Sequence, residues 1–88
     1  MTAVMRAKMR VTNVQSHYDV NQQVSTEIVH FQAVAKNGAY PSDGLDEDNT
    51  YARFTPNATC SIQIANPELF GKFHVDHKYY VDFHPAGD

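Results

Sequence analysis

Tryptophan is absent, cysteine occurs once, and positive charge is scarce in these 88 residues. The lone Cys60 excludes an internal disulfide and fits a reducing compartment, here the cytoplasm. Seven Lys and Arg stand against ten Asp and Glu, a net charge of −3, which is the wrong balance for a protein that neutralises phosphates. No apolar run approaches the roughly 20 residues that cross a bilayer. The first residues, MTAVMRAKMRV, interleave Arg and Lys with apolar side chains, so neither a membrane span nor a secretory leader is expected. There is no Gly-rich phosphate loop, no GxSxG, no CxxC and no HExxH, and so no enzyme and no cofactor is expected.

What is present is strand patterning. The length predicts one domain over residues 1–88, with a thin core whose stability would gain from association with copies of itself or with a larger partner. Met5, Ala7, Met9 and Val11 alternate with Arg6, Lys8, Arg10 and Thr12, which predicts a strand with one apolar and one basic face. Val14 breaks the alternation by one residue, as a bulge or a strand end would. Ser16 to Gln23 reads as a hairpin loop, and Val24 to Lys36 as a long second strand carrying Val29, Phe31, Ala33 and Ala35 on one face. Residues 37–50, NGAYPSDGLDEDNT, have no periodicity and contain the turn dipeptides Asn37-Gly38 and Asp43-Gly44. Tyr51 to Pro56 reads as a short third strand. Ala58, Cys60, Ile62 and Ile64 mark a fourth, with Cys60 inward.

The clearest local instruction is Asn66-Pro67-Glu68: a capping side chain, Pro at the first helical position, and an acid on the positive end of the dipole. Gly71 stops the helix after one turn, with Leu69 and Phe70 as its apolar load. Tyr79, Val81 and Phe83 then share one face of a final strand. Five strands and one helical turn predict an all-β fold: a small five-stranded, OB-like barrel, or alternatively a compact sandwich.

Candidate sites follow from charge and aromatics. The loop acids Asp43, Asp46, Glu47 and Asp48 offer a contact surface for a basic partner. A calcium loop counted from Asp46 would need Gly at its sixth position and Glu at its twelfth; Tyr51 and Asn57 stand there instead. His74 and His77 bracket a turn, but zinc requires three or four converging ligands. Arg6, Lys8 and Arg10 form a basic stripe. With Tyr51, Arg53 and Tyr80 it could stack and hold single-stranded nucleic acid, a reading the net charge counts against. The same residues suit a protein interface.

The series DEDNTYARFTP, ATCSIQIANPELFGKF and KYYVDFHPA resembles a group of short proteins of tailed bacteriophages and prophages. Its marks are an acidic loop entering an Asn-Thr-Tyr-Ala stretch, a Thr-Pro step, an Asn-Pro helical turn and a final Tyr-Tyr-Val-Asp-Phe strand, together covering residues 5–86. One departure is Asp76-His77, where the group usually has Gly-Asp. The resemblance implies no catalytic residues. It implies a phage protein made in the bacterial host cytoplasm. The expectation is a virion protein, most concretely a capsid decoration protein that binds the phage particle as a homo-oligomer. The rivals are an OB-type single-stranded nucleic-acid binder and a small inhibitor of a host enzyme.

Overall fold

Alternation over MRAKMRVTNV makes the first strand the axis of the molecule. In the computed structural model, which describes residues 3–87, β1 runs Met5–Tyr18 and pairs on both sides. Its second half pairs with β2 (Val24–Ala33), and its first half pairs with the last strand, β4 (Lys78–Phe83). A third strand, β3 (Thr59–Ile64), adds to the far side of β2. All pairings are antiparallel, and the order across the single sheet is β3-β2-β1-β4.

A bulge resolves the broken alternation. Val11 lies opposite Phe31 and Asn13 opposite His30, so Thr12 is the extra residue. Its hydroxyl donates to the His30 carbonyl at 3.3 Å. One inserted residue moves every later side chain to the other face, which puts Val14 against the core beside Ala7, Met9 and Val11. Val29 and Phe31 of β2, Cys60 and Ile64 of β3, and Tyr79 and Val81 of β4 complete that apolar face. Val11 and Val29 are fully buried, and each such side chain contributes about 1.5–3 kcal/mol.

Two irregular segments cover the face. After β3, Asn66 caps a single 3-10 turn (Pro67–Leu69), its side-chain oxygen accepting the Glu68 amide at 3.1 Å. Gly71 takes φ 75°, in agreement with the sequence reading. Phe70 packs on the core, whereas Leu69 points to solvent. Phe73 and Tyr79 meet Phe31 edge-on, with ring centroids 5.9 and 6.3 Å away. At the other end Tyr51 and Ala58 pack on the core.

The expected strand at Tyr51 to Pro56 is not formed. Pairing there is one isolated bridge, Leu45 to Arg53, and Phe54 turns to φ 60°, which ends extended backbone. Without that strand nothing joins β3 to β4, so the fold is an open four-stranded sheet rather than a closed five-stranded barrel or a two-sheet sandwich. The second strand also ends at Ala33 rather than Lys36, because the next residues turn to the long loop. The result is a flat molecule, 56 × 34 × 16 Å.

Candidate functional site

Beside the first half of β1, on the side away from β4, no strand is available to satisfy the backbone. The loop between β2 and β3 does so instead. The Lys8 amide donates to Asn49 Oδ1 at 2.8 Å, the Val34 amide donates to the Lys8 carbonyl at 2.9 Å, and the Arg6 amide donates to the Thr50 hydroxyl at 2.8 Å. Asn49 is wholly buried and donates onward to the Val34 carbonyl and to Asp46 Oδ2. Asp46, 3% exposed, is the hub of the loop. Its two oxygens accept the amides of Lys36, Asp48 and Asn49 and the Asn49 side chain. Burial alone would raise its pKa, but these hydrogen bonds hold it below the usual carboxylate value.

The remaining residues singled out in the sequence divide by face. Arg6, Lys8 and Arg10 do share the polar face of β1, and each is paired. Arg6 grips Asp82 with two bonds of 2.7 and 2.9 Å, which lowers the Asp82 pKa and raises that of Arg6. Its guanidinium also lies 4.2 Å above the Tyr80 ring. Tyr80 donates to Asp48 Oδ1 at 2.9 Å, a bond that raises the phenol pKa, and Lys8 lies 3.5 Å from Asp48 Oδ2. Arg10 pairs with Asp76 at 2.8 Å. Thus the structure joins Arg6 and Lys8 with one loop acid, Asp48, through Tyr80, while Arg10 pairs apart from them with Asp76.

Glu47 is exposed and bonds Lys36 at 3.0 Å; its own backbone amide first, and Lys36 second, lower its pKa. Asp43 is exposed, and its side chain accepts the Leu45 amide. Arg53 is exposed and donates to the Asp43 carbonyl at 3.1 Å. Tyr51 turns to the core face, where burial, then the Asp46 charge, raises its pKa. The presumed base-stacking pair Tyr51 and Tyr80 therefore sit on opposite faces of the sheet.

The feature that pattern reading missed is a groove on the apolar face, with a volume of about 280 Å³. Ala7, Met9, Ala58 and Cys60 contribute to its lining, as do Met5, Tyr51, Val81 and Phe83. Asn57 and Thr59 are its polar members, and no charged side chain lines it. The signal for it was small size: Ala7, Ala58 and Cys60 sit where strands usually carry larger apolar groups. Glu27 was also missed. It is buried at the other end of this face, with Oε2 accepting the Gly71 amide at 3.2 Å and Oε1 without a protein partner.

Among the described residues, no group of three or more His, Cys, Asp and Glu is placed to hold a metal ion. His74 and His77 do meet, with rings 5.3 Å apart. No helix among those residues is long and apolar enough to cross a membrane. Comparison with protein-family models, curated proteins and solved structures gives no match.

Proposed function

We propose that this chain is a non-enzymatic binding protein of a phage particle, docking on the capsid lattice as a decoration protein. The observation that carries the binding role is the half-covered apolar face of a single open sheet. A layer with an apolar side is stable when that side is packed against another layer, and here the loop and the 3-10 segment cover it only in part. The accessible surface is 6222 Å², against about 5,200 Å² for a compact monomer of this mass. The difference is of the order that one partner buries in a standard protein interface. The phage context rests on the resemblance of the acidic loop, the Asn-Pro turn and the Tyr-Tyr-Val-Asp-Phe strand.

Within this reading, the exposed acids Asp43 and Glu47 are the loop groups that meet a basic lattice surface, Glu47 by exchanging its solvent-exposed bond to Lys36, since Asp46 is sealed inside and Asp48 is tied to Lys8 and Tyr80. Mass spectrometry of purified particles tests it. Hundreds of copies per particle are expected, and reversing both charges (Asp43→Lys with Glu47→Lys) should lower occupancy while leaving the fold intact. Absence of the chain from particles would end the virion reading.

A further inference from the structure

We propose that the uncharged groove on the apolar face is the contact surface of a homodimer. A second copy packs face to face, so that the Phe83 ring of each copy fills the groove of the other. This inference gives the half-covered apolar face to a second copy and leaves the exposed loop acids to meet a lattice; it does not depend on the phage reading, because it concerns the chain alone.

The groove is self-complementary. Its most buried parts are the small Ala7, at 1% exposure, and Met9, with Ala58 and the half-buried Cys60 beside them. Its border carries Phe83, 47% exposed at the end of β4, and Met5 directly opposite it on β1. Knob and hole thus lie on one patch, as an isologous two-fold contact requires. Ile62, also half exposed, lies opposite Val29 on the same face and extends the apolar patch.

Charge selects this face over the others. The chain carries a net −3, so two copies repel overall, and most where like charges meet. Other concave surfaces are lined by Arg6, Glu47 and Asp82, by Asp43, Asp46 and Glu47, by Lys8 and Lys78, or by the polar set around His30. The groove brings no like charges together. Area permits it: a standard interface takes about 800 Å² from each partner, and this elongated chain exposes in all, polar and apolar surface together, on the order of 1,000 Å² more than a compact monomer of its mass. Two such sheets packed about 10 Å apart would form the sandwich that one chain lacks.

Cys60 is the sole thiol and lines the groove, so its labelling reads occupancy directly. Sedimentation velocity and iodoacetamide labelling of the purified chain, across the micromolar range, make the test. The expected result is a species of twice the 9.9 kDa chain mass, with Cys60 labelling slowed more than about fivefold as the dimer fills. Phe83→Asp should give a monomer with a fast-reacting thiol, and Ala58→Trp, which fills the groove from within, should also give a monomer. A wild-type chain that stays monomeric would overturn the proposal. So would a dimer with an unprotected thiol, since that contact would lie away from the groove. The wild-type measurements decide the matter even where a variant does not fold.

Discussion

Asp46 illustrates how a residue that looks like a surface charge becomes internal structure. In the sequence it sits in a run of acids, DED, and nothing in composition separates it from Glu47 and Asp48. What sets it apart is that Asn49 follows three residues later: Asn49 bonds the backbone of Lys8 in β1 and of Val34 after β2, and Asp46 accepts from the Asn49 side chain and from the Lys36 amide. Such a pairing is legible only when the loop is known to lie against the strand. Its consequence is a pH dependence with a definite sign. The folded carboxylate has a lowered pKa, so its contribution is complete above the ordinary value near 3.8 and is lost as pH falls through the lower folded value. Asp46→Asn removes the charge that accepts these N–H groups. It should cost about 1–3 kcal/mol at neutral pH, and the gap to wild type should close as the pH is taken below 3.8. Urea unfolding of both proteins along a pH series measures it.

At the scale of elements, the strands with clean alternation were readable and the loop was not. β1 up to Gln15, β3 and β4 follow from period-two patterning, and the Asn66 cap, Pro67 and Gly71 act as their chemistry dictates; Ser16 to Tyr18, read as the start of a hairpin loop, instead continue β1 opposite Glu27 to Val24. The one-residue break before Val14 was a true bulge, placed at Thr12. Tyr51 to Pro56 failed because its three strand formers, Tyr51, Phe54 and Thr55, carry no information about a partner, and Phe54 was drawn into a left-handed turn by the loop. Gly44 explains that turn. It takes φ 74°, and a Cβ placed there would lie 2.5 Å from the Phe54 ring, which in turn meets Tyr40 at 6.0 Å. The Phe54 amide closes the turn on the Gly44 carbonyl at 2.7 Å. Gly44→Ala must therefore strain the backbone and displace the ring together. A loss of about 1–3 kcal/mol is expected, with faster amide exchange confined to residues 41–54. Unchanged exchange in that segment would show that the turn does not depend on Gly44.

For the whole molecule, the sequence reading of a thin core was a statement about size, and the structure shows the form of that core. Among the described residues seven apolar ones are buried, and the Cα radius of gyration is 15.8 Å, against about 12 Å for a compact chain of this length. Strand count alone could not distinguish a closed barrel from an open sheet, because closure depends on whether the two ends of the sheet meet. β3 and β4 are instead separate edges. Each is short, and β4 carries Lys78 and Asp82, which discourages edge-to-edge pairing. Association through the face rather than the edge then has a thermodynamic signature. When folding and dimerisation are linked, the unfolding temperature rises with protein concentration by mass action. Wild type should therefore melt several degrees higher at high than at low micromolar concentration, by calorimetry. Phe83→Asp should melt at the lower temperature whatever the concentration. A wild-type midpoint independent of concentration would mean that the half-covered face is stable against water alone.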